Sequence, residues 1–434
     1  MNGEEVVFAV PDLSKAKPIM PAYGPNYKWY VVAMLWGISF FNYADRQAIS
    51  SVVPLLETEM HLSEVELGAL GSAFAWVYGF GAPFAGAIVD RVRRKSAILG
   101  GLHVWSLICL ATATSRRFSH LLFFRAAEGL GETFYYPAAT SMISDYHGQT
   151  TRSRALGLHQ TSVYAGTIAG GTFAGLIGQH YGWRSSFIVF GLLGVLLGIG
   201  LHWLLHEPQR GATEKVDQVG PAKPSVRELL GIVGRSRTVF TLMGAFACAN
   251  FVAMILLFWM PSYLKKQFGL SLAVSGLTAT AFPQVASLLG AILGGWLADR
   301  WRRHVIGGRM LIQAVGVFCG APFVLWCGQT RSIQWLLVAL TAWGFFKGLY
   351  DANIFASAFD VVRPEYRGSV AGLMNLVGWL GGGASAPLVV GFLAERRGLG
   401  WAISSTAIVY IFSGLLLLLA GLVFVRRELA TRRN

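Results

Sequence analysis

The sequence GAIVDRVRRK (86–95) follows a long apolar run, and a similar sequence, GWLADRWRRH (295–304), follows another apolar run in the second half of the chain. Two further matches come in the same order. RSRALG (152–157) matches YRGSVAG (366–372), and GWR (182–184) matches GW (400–401). The chain is therefore a duplication, and we predict two halves with the same succession of elements.

The composition is that of a membrane protein. Hydrophobic residues make up 54% of the chain, charged residues 13%, and the mean hydropathy is +0.51. Soluble domains carry about 25% charged residues, whereas a membrane-spanning helix needs about 20 mostly apolar residues. We predict an all-α membrane protein with twelve transmembrane helices, at about 28–56, 64–90, 95–115, 118–146, 152–181, 185–206, 237–268, 271–300, 304–328, 332–362, 365–396 and 400–427.

One long polar stretch, residues 207–236, interrupts this pattern and is rich in Pro, Gly, Lys and Glu. Such a composition buries little surface and is typical of a linker. We predict two six-helix bundles, related by a pseudo-two-fold axis along the membrane normal. The predicted order is a cytoplasmic tail (1–27), the N-terminal bundle (28–206), a cytoplasmic linker (207–236), the C-terminal bundle (237–427) and a cytoplasmic tail (428–434).

The net charge of +14 does not form a single basic patch that would favour nucleic acid. The basic residues gather in alternate loops, while the stretch 57–66 has four acids and no Lys or Arg. The positive-inside rule then places both termini in the cytoplasm. The four cysteines lie in apolar stretches without metal-ligand spacing, and no nucleotide-binding loop or catalytic triad appears. We expect no enzyme activity, no metal and no cofactor.

Ionisable residues lie inside two of the apolar segments. Asp45 and Arg46 are in the first, and Arg125 and Glu132 are in the fourth. Such residues are costly in hydrocarbon and commonly bind ions, protons or substrates. Arginine stays charged when buried and presents a planar fork to a carboxylate, whereas a carboxyl group can gain or lose a proton. Arg46 and Arg125 are therefore candidate anion-binding groups, with Asp45 and Glu132 as candidate proton sites. A static ion-pair network that only fixes helix packing is the alternative.

The doubled loop motif GxxxDRxxRK on a twelve-helix pattern resembles the major facilitator superfamily and covers essentially the whole chain. In that family these loops form a cytoplasmic gate that is locked in one state and released in the other. Gly86 would allow close helix contact, and Asp90 would cap a helix or pair with the arginines. The gating candidates are Gly86, Asp90, Arg91, Arg94, Asp299 and Arg300.

Within the superfamily, NYADRQAIS (42–50) and FRAAEGLGETFYYPAA (124–139) resemble the anion:cation symporter branch. The resemblance implies a secondary active transporter in a bacterial inner membrane, monomeric, that carries a small organic anion such as a sugar acid together with protons. The branch motifs N-Y-x-D-R and R-(six residues)-E match the residues named above. Coupling would follow if both acids, when ionised, occupied the arginines and released them on protonation.

Other polar residues are candidates to complete the substrate site: Tyr43, Tyr78, Gln160, Tyr164 and Asn375. Four further residues add charge or polarity that the branch pattern does not require, namely Glu128, Lys347, Asp351 and Asn353. Glu128 lies one turn from Arg125 and could hold it in an ion pair. Asp351 corresponds to Glu132 in the repeat (GLYD and GLGE). Lys347 and Asp351 have two interpretations. They form a self-neutralising pair one turn apart, or the second half uses them to add charge to the cavity or the gate.

The same motifs are also similar to the spinster branch, whose members move lysolipids or sphingoid phosphates. The segment RGSVAGLMNLVGWLGGGASAP (367–387) favours the anion symporters. Export of drugs or sugars is a weaker alternative within the fold, and a non-transporting receptor is one outside it.

Overall fold

The computed structural model describes residues 24, 26–89, 91–148, 150–209, 231, 233–234, 236–363 and 366–431. Outside them lie almost all of the predicted tail 1–27, most of the predicted linker 207–236, the gating candidate Asp90 and residues 432–434. The described residues are helical and contain no β-strand.

Twelve spanning segments are present within the described ranges, at the positions predicted from sequence to within a few residues. The first six are formed by α1 (Tyr27–Met60), α2 (Glu64–Val89), α3 (Arg94–Thr112), α4 (Phe118–Glu132) with α5 (Tyr135–Tyr146), α6 (Arg152–Tyr181) and α7 (Trp183–Leu204). The second six are α8 (Arg237–Phe268), α9 (Leu272–Trp301), α10 (Gly308–Gln329), α11 (Ile333–Asp351) with α12 (Ile354–Phe359), α13 (Arg367–Val377) with α14 (Ala386–Arg397), and α15 (Leu399–Ser405), α16 (Ala407–Leu419) and α17 (Val425–Thr431) in the last span.

Four spans predicted as single helices are divided into shorter elements, and two of them, 118–146 and 332–362, are interrupted directly after a charged residue of interest. In the first, Pro137 lacks the amide that would bond the carbonyl of Thr133, and its ring clashes with that carbonyl. One turn earlier, the Thr133 hydroxyl donates to the Gly129 carbonyl (2.6 Å). In the second, the Asn353 side-chain amide donates to the carbonyls of Leu349 and Gly294, at 3.1 Å each. Both interruptions follow an acidic residue at the end of α4 or α11.

The outer surface of the helices is apolar. Phe84, Trp203, Ile292 and Ile408 are among many large hydrophobic side chains that are more than half exposed. Seven of the described spans are long and apolar enough to cross a bilayer by length and composition. An exposed apolar surface of this extent suits lipid rather than water, and helices that satisfy their own backbone hydrogen bonds can enter hydrocarbon.

The two halves meet through glycines. Residues 61–63, 113–117, 269–271, 330–332 and 398 form the end of the molecule opposite the termini, which we call the far face. Towards that face α6 crosses α9 at Gly171, where an added Cβ would lie 3.1 Å from the Gly276 carbonyl oxygen. On α2, a Cβ at Gly68 would meet the Pro387 backbone of α14. Small residues allow such close backbone contact between membrane helices.

An ion-pair cluster closes the far face. Lys266 at the end of α8 lies 2.7 Å from Glu57 of α1 and 2.5 Å from Glu64 of α2. Nearby, the Val65 amide donates to the Glu395 carboxylate (3.0 Å). We call Lys266, Glu57 and Glu64 the far-face latch, because these contacts join the two halves.

Candidate functional site

The charged residues predicted from sequence form one cluster between α1 and α4. Asp45 and Arg46 come from α1, while Arg125, Glu128 and Glu132 come from α4. Asp45, Arg125, Glu128 and Glu132 are each no more than 2% exposed. The cluster holds three carboxylates for two arginines.

Arg46 is the cation of the cluster that solvent reaches. Its Nε donates to a Glu132 carboxylate oxygen, and its side chain is 12% exposed while that of Glu132 is 0% exposed. The guanidinium lies over the rings of Tyr43, Phe74 and Tyr78, at 4.8, 5.0 and 4.5 Å from their centres. Aromatic faces attract cations, so this surround keeps the guanidinium in place. Its buried Nη1 has no hydrogen-bond partner in the part of the chain that the structure describes.

Arg125 lies behind Arg46 and is held by Glu128. Its Nη1 donates to Glu128, three residues further along α4, and its guanidinium lies 4.9 Å from the centre of the Phe74 ring. The Arg125 side chain is only 3% exposed. The possibility that Glu128 takes Arg125 into an ion pair is therefore realised, and in this conformation Arg125 is not available to a substrate.

Asp45 behaves differently from the expected coupling scheme. It is fully buried, and neither of its carboxylate oxygens has a hydrogen-bond partner among the described residues. Glu128, Glu132 and Arg125 are the charged groups close enough to act on it electrostatically. The expectation that Asp45 and Glu132 would both occupy the arginines is wrong for Asp45, because Glu128 holds Arg125 and Glu132 holds Arg46.

The other predicted cavity residues differ in position. Tyr43 and Tyr78 contact Arg46, as described, and Tyr164 is half-buried on α6. Gln160 and Asn375 are exposed, and neither forms a hydrogen bond to the cluster within the described residues. Phe74 and Trp379 were missed. Phe74 lies one helical turn before Tyr78, which was an available signal, while the Trp379 ring of the second half lies 5.4 Å from that of Tyr78 and only the tertiary structure shows this.

The second half contributes its own ion pair. Lys347 donates to Asp351 one turn later on α11, with side chains 18% and 35% exposed. Tyr164 of the first half is close enough to act electrostatically on both. Asn353 is 3% exposed and bonds backbone carbonyls, so it holds the helix interruption.

The gating candidates of the first half are only partly as expected. Gly86 does not show the predicted close helix contact, because among the described residues no heavy atom lies within 4 Å of an added Cβ. Arg91 is exposed. Arg94 is buried and pairs with Asp145 at the end of α5 and with Glu207 (3.1 Å) after α7. Arg94 thus ties elements of one bundle together.

The second half repeats this arrangement with different residues. Arg309, at the start of α10, lies 2.6 Å from Asp299 and 3.0 Å from Asp360, which follows α12. Arg300 is exposed and stands 6.0 Å from the Trp296 ring. Arg309 lies at the start of α10 as Arg94 lies at the start of α3, but the repeated motif aligns Arg94 with Arg303, so the sequence did not identify Arg309 and Asp360.

The fold agrees with the family comparison. The chain matches the Major Facilitator Superfamily over residues 35–385 and 264–434, and it belongs to that superfamily. It is therefore an integral membrane transporter and not an enzyme, as the sequence predicted.

Several proteins similar in sequence are named as transporters of sugar acids. The chain is 26% identical to the hexuronate transporter of Bacillus subtilis (strain 168), over 90% of this chain and 91% of that protein. It is 25% identical to the probable L-galactonate transporter of Escherichia coli (strain K12), over 83% and 82%. A probable galactarate/D-glucarate transporter of the same E. coli strain is 23% identical, over 86% and 88%.

Among solved structures, the chain is similar to a bacterial homologue of the human lysosomal transporter Spinster in an inward-facing, unoccupied conformation. The TM-score is 0.79 and the identity 21%, with 95% of this chain and 99% of that chain covered. This likeness concerns the fold.

Proposed function

We propose that the protein carries a small organic anion of the sugar-acid class together with protons, by alternating access. The observation that carries the proposal is the buried cluster of two arginines and three carboxylates, in which Asp45 has no hydrogen-bond or ion-pair partner within the described part of the chain. An isolated ionised carboxylate is costly in such surroundings, so a proton on Asp45 balances the cluster. The names of the similar proteins support the substrate class.

The pairing of Arg46 supports a coupling step at Glu132. When Glu132 is ionised it occupies Arg46. When Glu132 takes a proton, Arg46 is free to bind a substrate carboxylate as a bidentate pair. The cluster is electrically balanced in both states, because the substrate charge replaces the charge that the proton removed. Proton and anion therefore load together, while Arg125 and Glu128 remain paired behind them.

Alternating access requires the far-face latch to open when the opposite end closes. Two sets of ion pairs lie at the end of the molecule that carries the termini. One joins Arg94 and Asp145, and the other joins Arg309 to Asp299 and Asp360. We assign these groups, with Asp90, Arg91 and Arg300, to the gate at that end. The proposed setting is a bacterial inner membrane with both termini in the cytoplasm and a monomeric transporter.

The substrate class is tested by a thermal-shift screen of the purified protein at two pH values against hexuronates, aldonates, aldarates and lysolipids. Sugar acids should stabilise the protein, more strongly at the lower pH. Stabilisation by lysolipids alone would overturn the proposal and favour a spinster-like substrate.

The coupling step is tested with Glu132→Gln in proteoliposomes. Glutamine mimics the protonated acid, so the variant should exchange anion across the membrane but lose accumulation driven by a pH gradient. Lys265→Gln, which changes an exposed charge at the far face, is the control and should transport as the wild type does. Full pH-driven accumulation in Glu132→Gln would exclude Glu132 as the coupling site.

A further inference from the structure

The ion pair of the second half occupies the same place in the repeat as the Glu132 site. Asp351 is the last residue of α11 and Glu132 the last residue of α4, and two non-helical residues follow each of them. GLYD (348–351) and GLGE (129–132) are the corresponding sequences. Each acid holds a cation, Lys347 in one half and Arg46 in the other. Irregular backbone inside a membrane is tolerated where protein or a water-filled cavity surrounds it.

Local stability does not account for Lys347 and Asp351. Lysine before the acid at a spacing of four is the weaker order for a helical pair, and an acid at a helix C-terminus is disfavoured by the helix dipole. The pair joins two residues of one helix, so it fixes no packing between helices. It is also more exposed than the pairs of Arg46 and Arg125.

The pair lies near a side chain of the first half of the protein. The half-buried Tyr164 of α6 is close to both Lys347 and Asp351. Arg46 lies within the first half beside Tyr78, whose ring meets Trp379 of the second half. Each half thus brings one partly exposed cation, held by an acid, to the interface between the bundles.

We propose that Lys347 is a second anion-binding group and that the preferred substrates are sugar acids with two carboxylates, one bound by Arg46 and the other by Lys347. This inference rests on the proposed function, which it makes more specific. Asp351 holds Lys347 when the site is empty. A substrate with a single carboxylate uses Arg46 alone.

The charges balance if each acid that gives up its cation takes a proton. A dianion that displaces Glu132 and Asp351 then moves with two protons, and a monoanion with one. The titratable groups near Asp351 are Lys347 on its own helix, Tyr164 of α6, Tyr350 and Tyr410 of α16. The tyrosines are neutral at physiological pH, so the pair carries the change of charge.

The test compares D-glucarate with D-gluconate, which share a six-carbon chain but carry two carboxylates and one. Dissociation constants are measured on the purified protein at a fixed pH. Lys347→Gln should weaken glucarate binding by about tenfold to a hundredfold, which is the effect of a hydrogen bond to a charged group. Gluconate binding should stay within about twofold of wild type. Lys347→Arg should retain glucarate binding, and Lys265→Gln is the charge-matched control.

Several outcomes separate the two proposals. If Lys347→Gln weakens the binding of glucarate and gluconate equally, so that the preference for glucarate is unchanged, the proposed role of Lys347 is wrong. The proposal of sugar-acid transport is unaffected by that result. Wild-type binding of gluconate but not glucarate would have the same consequence. Binding of neither sugar acid would overturn both. If Lys347→Gln does not fold, the double variant Lys347→Gln/Asp351→Asn, which leaves no unpaired charge, must show the same selective loss of glucarate.

Discussion

Replacing Lys266 by methionine should increase the fraction of molecules in which the far face is open. Lys266 is the α8 side chain that binds Glu57 and Glu64, at 2.7 and 2.5 Å. Its side chain is 32% exposed, so solvent screens both pairs and each contributes about 0.2–1 kcal/mol. Taking about 0.5 kcal/mol for each pair, the variant loses about 1 kcal/mol of the stability of the closed far face. The ratio of open to closed molecules should rise about fivefold.

The assay is a distance measurement by pulsed electron paramagnetic resonance. Spin labels at Arg116→Cys and Arg331→Cys report on the two halves, because both positions are exposed in far-face loops of different halves. The four native cysteines are replaced by alanine. Lys266→Met should enlarge the long-distance population, and the difference from wild type should shrink in 1 M salt, where the Debye length falls to about 3 Å.

The control is Lys265→Met. It removes a lysine charge from the neighbouring position, and among the described residues the Lys265 side chain pairs with neither Glu57 nor Glu64. It should leave the distance distribution unchanged. An equal shift in both variants would show that net charge rather than the latch controls closure. A population unchanged by Lys266→Met would refute the reasoning directly.

The remaining predictions concern the buried cluster. Glu128→Gln should destabilise the protein by about 3–5 kcal/mol, since it leaves Arg125 buried without its carboxylate, and a fall in melting temperature measures this. The double variant Arg125→Met/Glu128→Met should recover that stability and still bind sugar acid. If it folds but does not bind, Arg125 takes part in substrate binding. Asp45→Asn should melt no lower than wild type, because the amide replaces a neutral acid, and a loss comparable to that of Glu128→Gln would show that Asp45 is ionised.

The sequence predicted the helices well because the governing signals are local. Apolar runs of about 20 residues and a repeated loop motif are sufficient to place twelve spans. The interruptions after Glu132 and Asp351 were not predicted. Pro137 was a local signal for the first, but the second depends on Asn353 bonding the Gly294 carbonyl of another helix, which no sequence window contains.

The sequence alone determined which charges lie inside apolar segments, because their spacing along the chain is a local property. Only the tertiary structure decided how those charges pair. Glu128 pairs with Arg125 within one turn of α4, and Glu132 pairs with Arg46 of α1. Asp45 has no partner among the residues that the structure describes. The physical reason is that three carboxylates compete for two arginines, and the outcome depends on distances between helices that are far apart in the chain.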